Sequence, residues 1–365
     1  MAPSSQEIGR VGWDMLKQQC GDRDTQETVI LSPLSITIAL GMLAGAADTR
    51  KKHDLCTKLG LQNAEELESV LHPLHNALCG NVKGGPLALA NGVFTDTSVT
   101  LYSKYQEFLA GFNAEFTQYP SLEGAVDEIN KWISDNTRGL IQDMLSAALL
   151  RNCHLALVNA IGFKGTWKTQ FDRSNTRKET FFVTPNETKD VNMMFLHQQR
   201  ISFLETSTYK AAQLPYQLPA SYPQTSLLAY LPNEGKSVGD VLDEIADHGS
   251  SISRFSEGKY HKFGFPKFEI ESSFSLVDTL EKLGYPIGGV YPNMADGPNQ
   301  VQTILHQALV KVDEEGTEAA AATAVLMTRS IPVAPKILIF NRPFVFAIVS
   351  DKPKAVLFAG VYSGK

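Results

Sequence analysis

The feature that most restricts the fold of this chain is Glu314-Glu315-Gly316-Thr317-Glu318-Ala319-Ala320-Ala321-Ala322-Thr323-Ala324-Val325, followed by Leu326-Met327-Thr328-Arg329-Ser330-Ile331-Pro332. Consecutive alanines have the highest helix propensity, and a helix capped near Thr317 is the local expectation. Yet the stretch begins directly after a strand-like run, Leu305 to Val312, and has no apolar stripe by which a helix could dock. Read with a period of two, Thr317, Ala319, Ala321, Thr323 and Val325 fall on one face and Glu318, Ala320, Ala322 and Ala324 on the other. The first face carries no charge and nothing bulky. That is what a strand needs if it is to slide between two existing strands and turn that face onto a filled core, where a large or charged residue would cost several kcal/mol. Glu318 lies on the face that can stay in water. The segment reads as an exposed arm able to become a strand.

The body that carries this arm is helical first and β-rich later. Ser32-Pro33 precedes Leu34, Ile36, Ile38, Leu40, Met42 and Leu43, with small residues between, a pattern apolar on nearly every face and therefore central to a core. Residues 64–79, 101–116 and 125–145 show three- to four-residue apolar spacing, the last with Ile129, Trp132, Ile133, Ile141 and Leu145. From about residue 155 the runs become short and β-branched or aromatic: Leu155 to Ile161, Ser226 to Leu231, Lys262 to Ile270, Leu305 to Val312, Ile337 to Phe340 and Phe344 to Val349. Helical segments around 238–246 and 275–283 interrupt them. No internal repeat and no Pro, Gly or Ser linker divides the 365 residues, and neither half would bury its strands alone. One α+β domain over residues 1–365 is expected.

Composition narrows the partners. With 33 Lys plus Arg against 39 Asp plus Glu, the net charge of -6 repels phosphate backbones and anionic membranes, so neither nucleic acid nor membrane is expected as a partner. Cys20, Cys56, Cys79 and Cys153 are scattered and form no C-x-x-C pair, which reads as buried thiols of a reducing compartment. The first 30 residues lack the apolar stretch of a signal peptide, so a cytoplasmic address is expected, with an extracellular one if a leader was removed or export is unconventional.

Local signatures of catalysis are missing. The sequence has no G-x-S-x-G, H-E-x-x-H, Walker-type or G-x-G-x-x-G pattern. His72, His75 and Cys79 recur along one helical face, but Pro73 lies among them and no acidic fourth ligand accompanies them, so neither metal nor cofactor is expected. Arg50, Lys51, Lys52 and His53 read as a solvated helix end where cations complement the terminal carbonyls.

Six ordered motifs between Leu31 and Phe344 then point to one family. Leu31-Ser32-Pro33-Leu34-Ser35-Ile36 resembles the start of serpin helix B, and Ile129-Asn130-Lys131-Trp132 with Thr137, Gly139 and Ile141 resembles the helix F motif. Asn159-Ala160-Ile161-Gly162-Phe163-Lys164-Gly165-Thr166-Trp167 is similar to the central strand leading into the breach, with Gly162 where an aromatic is usual. Leu214-Pro215-Tyr216, Pro266-Lys267-Phe268 and Asn341-Arg342-Pro343-Phe344 follow in family order. Tyr285-Pro286-Ile287-Gly288-Gly289, after helix I, departs from the family pattern.

The resemblance implies a single-domain serpin fold of three β-sheets and about nine helices, with a reactive-centre loop at about 314–341. It further implies a monomer that is a protease inhibitor and not an enzyme. A target serine protease attacks the loop, and the acyl-enzyme is trapped as the cleaved hinge, Glu315, Gly316, Thr317, Glu318, Ala319, Ala320, Ala321, Ala322 and Thr323, enters the main sheet. Loop length places the bait bond after Ser330, whereas the Arg329-Ser330-Ile331-Pro332 pattern places it after Arg329. A guanidinium there suits the acidic pocket of a trypsin-like protease. Chymotrypsin-, elastase- or papain-like targets, and a non-inhibitory carrier or chaperone, are the alternatives. By the same resemblance Ser32, Ser35, Asn159 and His306 form the shutter and Trp167 the breach. The resemblance also implies that many members are accelerated by glycosaminoglycans such as heparin through a basic helix D, but the matching stretch, Glu65 to Cys79, contains no Lys or Arg, so heparin activation at that place is not expected.

Overall fold

Ser32 opens the element around which the rest is built. In the computed structural model, which describes residues 10–20, 27–80, 85–248, 254–296, 300–315 and 336–365, its Oγ accepts a hydrogen bond from the Ser35 N–H at 3.1 Å and caps the helix Pro33–Ala46. Pro33 sits at the first helical position, where a missing N–H costs nothing. Every residue of this helix except Gly45 is buried, as its all-round apolar pattern predicts.

Among the described residues there are eight α-helices and three sheets, of ten, five and two strands. None of these helices is long and apolar enough to cross a membrane. The five-stranded sheet has the order Phe268–Ser275, Thr303–Val312, Leu155–Phe163, Leu87–Asp96, Glu115–Tyr119. Its centre is a seam between Thr303–Val312 and Leu155–Phe163, which pair directly and in parallel from Thr303 opposite Ala156 to Val310 opposite Phe163. Both strands are buried on both faces, which explains their continuous apolar runs. Leu157, Ile161, Ile304, Ala308 and Val310 belong to the main core, which also takes in the Pro33–Ala46 helix. The opposite face, with Ala156, Val158, Ala160, Leu305 and Leu309, lies under the helix Val126–Asn136 and the chain that follows it.

Several expectations need correction. The 125–145 segment is helical only to Asn136, because Arg138 and Gly139 adopt positive φ (56° and 74°) and break the helix. Ile141 and Leu145 are nevertheless buried, held there by backbone bonds to Thr137 Oγ1 and Asn130 Oδ1. Helix also stops at Ala110 within the 101–116 stretch, and Glu115–Tyr119 is a strand. The early part of the chain holds a ten-residue strand, Leu87–Asp96, whose Ala- and Leu-rich sequence concealed it. The 262–270 run is two strands, Ser256–Pro266 and Phe268–Ser275, divided at Lys267. Finally, Arg50 to His53 lie at the start of the helix Thr49–Lys58 rather than at its end. Lys51 escapes the unfavourable dipole by donating to the carbonyls of Gly288 and Val290 at 2.6 and 3.0 Å.

Candidate functional site

The seam is fastened at three levels by side chains as well as by its ladder. At mid-height His306 and Asn159 face each other in register, and both are fully buried. The Ser32 N–H donates to His306 Nε2 at 3.2 Å, so Nε2 carries a lone pair and the proton sits on Nδ1. Nδ1 in turn donates to Asn159 Oδ1 across the seam at 2.7 Å. The same Oδ1 accepts from Ser35 Oγ, while Asn159 Nδ2 donates to Asn91 Oδ1 at 2.7 Å. Ser32 Oγ donates to the Leu357 carbonyl at 2.6 Å. The structure thus brings Ser32, Ser35, Asn159 and His306 into one hydrogen-bonded cluster. A doubly protonated imidazole would put a proton against the Ser32 N–H, and burial pushes the His306 pKa down to about 3. The ring is therefore neutral.

At the top, the chain leaves Val312 and its next three carbonyls are taken by one short segment. Trp167 Nε1 donates to Asp313 O at 2.8 Å, the Phe171 N–H to Glu314 O at 2.9 Å and the Trp167 N–H to Glu315 O at 3.2 Å. Trp167 is itself fixed by stacking on Tyr216, with ring centroids 4.4 Å apart and 15° between planes. The carboxylates are held too: Glu315 pairs with Arg173 at 2.5 Å, and the buried Glu314 with Lys267 at 2.7 Å. Burial works to raise the Glu314 pKa, but the Lys267 ammonium beside it prevails and keeps the carboxyl below its ordinary range. The expected hinge from Gly316 to Thr323, and Arg329 with Ser330, lie outside the described residues; Glu315 is where they attach.

At the foot, Gln302 bridges the seam. Its Oε1 accepts from the His154 N–H at 2.6 Å and its Nε2 donates to Asn152 O at 3.2 Å, joining the start of Thr303–Val312 to the turn before Leu155–Phe163. His154 is anchored in turn by Asp96 Oδ2 at 2.6 Å.

Sequence reasoning missed Asn91, Lys267, Glu314 and Gln302. Asn91 had a signal, a lone polar residue inside an apolar run. Lys267 and Glu314 stand within stretches singled out from the sequence, but nothing local signals that they pair, and Gln302 had no signal, since its partners are distant in sequence. Gly162, noted as lacking the usual aromatic, is covered by Leu140: a Cβ there would meet Leu140 Cδ1 at 2.7 Å. His72 packs instead edge-on to Phe112 at 4.3 Å, and no group of three His, Cys, Asp or Glu side chains suited to a metal occurs among the described residues.

Geometry dictates what such a seam can accept. Its two strands are parallel, so a chain turning back at Glu315 would run antiparallel to both and could complete a ladder on each side. Known proteins share this fold and part of this sequence. Residues 6–364 match the family model Serpin (serine protease inhibitor). The plasma serine protease inhibitor of Homo sapiens is 32% identical over 352 residues, spanning 92% of this chain and 84% of that protein. Among solved structures, Arabidopsis AtSerpin1 in its native stressed conformation gives a TM-score of 0.86 at 25% identity, over 98% of this chain and 97% of that one. Human thyroxine-binding globulin shares the fold, with a TM-score of 0.82 at 22% identity over 99% and 98% of the two chains.

Proposed function

The chain belongs to the serpin family, whose members are generally protease inhibitors acting by a suicide mechanism, and we propose that it inhibits trypsin-like serine proteases through a bait bond after Arg329. The observation that carries the reading is the closed parallel seam with Glu315 anchored at its top. It is joined to an arm whose inserting face, Thr317 to Val325, has no charge or bulk to obstruct entry.

In this mechanism the protease serine attacks the Arg329 carbonyl, the bond to Ser330 breaks, and Ser330 leaves as a new amino terminus. An acyl-enzyme remains on Arg329. Entry of the hinge from Glu315 to Thr323 begins at Trp167, where the Asp313 and Glu315 carbonyls are bound, which gives Trp167 the role of breach. It proceeds past His306 and Asn159, whose mutual bond must part, which gives these two with Ser32 and Ser35 the role of shutter. New ladders on both sides of the arm replace the single seam ladder, and the protease is carried along before water can deacylate it. Uncharged small residues favour speed, and speed separates an inhibitor from a substrate.

A carrier role is the second reading, since human thyroxine-binding globulin has this fold. The test is to mix the protein with trypsin at near-equal molarity, run a denaturing gel and sequence the released peptide by mass spectrometry. A complex that survives denaturation, with a peptide beginning at Ser330, is expected. Cleavage without a complex favours the second reading, and a peptide beginning at Ile331 moves the bait to Ser330.

A further inference from the structure

Two strands of the ten-stranded sheet, Arg177–Thr184 and Glu187–Glu205, are joined by the two-residue turn Pro185-Asn186, with Thr184 facing Glu187 and Phe182 facing Thr188 in the antiparallel register. The Asn186 N–H donates to Thr184 Oγ1 at 3.3 Å and fixes the turn. Along the first strand Phe181 and Val183 are buried, so Phe182 points outward. It is 45% exposed, and among the described residues it is the only exposed phenylalanine. Its neighbours on that face are polar and exposed: Thr188 directly across, and Thr180 with its own partner Asp190. The other exposed large hydrophobics, Tyr102, Leu149, Val290 and Ile337, lie outside these two strands, so Phe182 is a single ring in a polar setting, too little for a protein interface. Asn186 opens Asn186-Glu187-Thr188, the one Asn-x-Ser/Thr triplet in the 365 residues. All three of its residues are exposed at the hairpin tip, and a period of two carried back from Thr188 puts Asn186 on the face of Phe182.

We propose that Asn186 is an N-glycosylation site and that the first sugar of its glycan lies over the Phe182 ring. The apolar C–H face of an N-acetylhexosamine covers an aromatic face that the fold leaves in water, while its hydroxyls and acetamide stay solvated beside Thr180, Thr188 and Asp190. In the transfer, Asn186 Nδ2 bonds to the anomeric carbon of a lipid-diphosphate oligosaccharide, the bond from that carbon to the diphosphate oxygen breaks, and the Nδ2 proton leaves with the diphosphate. Thr188 supplies the hydroxyl that marks the acceptor. That donor is met in a secretory lumen, so the proposal takes the extracellular one of the two addresses the sequence allows. Cys20, Cys56 and Cys153 are buried, which lets them remain thiols in an oxidising lumen. Nothing in the proposal depends on the protease reading.

The test is mass spectrometry of the protein purified from the organism that makes it, after enzymatic release of N-glycans in heavy-oxygen water, which turns a glycosylated Asn186 into labelled aspartate. Label at residue 186 is expected. Unlabelled asparagine throughout overturns the proposal. For the ring, the glycoprotein trimmed to one sugar is expected to unfold about 1 to 2 °C above the Asn186→Gln variant, a difference lost when Phe182→Thr is introduced and kept with Phe182→Tyr. The same difference with and without Phe182→Thr would overturn the seat of the sugar on Phe182, even with a glycan present at Asn186.

Discussion

Replacing Asn159 by leucine separates a gate from a mere strut. The substitution keeps the side-chain volume near its original value while removing every polar atom at the centre of the cluster. In the closed sheet it leaves Ser35 Oγ, His306 Nδ1–H and Asn91 Oδ1 without their partner, all in residues no more than 2% exposed. At about 1 to 3 kcal/mol for each buried orphan, global stability should fall by at least about 3 kcal/mol. Of the three bonds only the one to His306 crosses the seam. The stranded His306 N–H regains a partner when the sheet opens, so opening itself is favoured by about 1 to 3 kcal/mol, or roughly five- to a hundredfold. The assay is annealing of a synthetic peptide with the sequence of residues 315–328, followed by native-gel mobility and by fluorescence of Trp167 beside the entry point. Faster annealing by that factor is expected. A variant that loses stability but anneals at the parental rate would refute the claim that the cluster gates the seam.

Acid should weaken the fold in a defined window. His306 and His75 have pKa values pushed by burial to about 3 and about 4, below the unfolded value of about 6.5, so below that pH the unfolded chain binds protons that the native one refuses. Stability is unaffected by them above about pH 6.5 and falls by about 1.4 kcal/mol per pH unit per histidine toward their folded values. Urea titrations between pH 6.5 and 5 should show this slope, to which His72, also held low by burial, adds, and His306→Gln should reduce it by about one histidine's share; an unchanged slope contradicts the neutral-histidine account. Gln302→Ala removes the two bonds at the foot of the seam and should speed annealing of a peptide of residues 323–330 by roughly two- to tenfold, without affecting one of residues 315–322. Equal effects on both peptides would mean that the foot does not act separately from the top. Thr317→Arg places a charge on the inserting face and should abolish inhibition while leaving cleavage, as read by a denaturing gel with trypsin.

The parts of this account legible in the sequence were those with a local pattern. The Pro33–Ala46 helix was visible because it is apolar all round, and the seam strands because double-sided burial leaves continuous runs. The cluster at mid-seam was visible only through family resemblance: His306 and Asn159 stand 147 residues apart, and the parallel register makes them neighbours. Lys267 with Glu314, and Gln302 with His154, are joined by the same kind of long-range placement, and nothing in their flanking residues announces it. The strand Leu87–Asp96 was hidden because its alanines and leucines favour helix in isolation, a preference that pairing on both sides overrides.

The central claim is that the closed seam between Leu155–Phe163 and Thr303–Val312 opens to admit the arm. It is tested most directly by cutting the arm once with a protease that the protein does not trap and comparing thermal unfolding midpoints before and after. Insertion gives the arm a ladder on each side, so the cut protein should unfold at a markedly higher temperature than the intact one. An unchanged or lowered midpoint would contradict the account, for it would leave the arm outside a sheet that does not open.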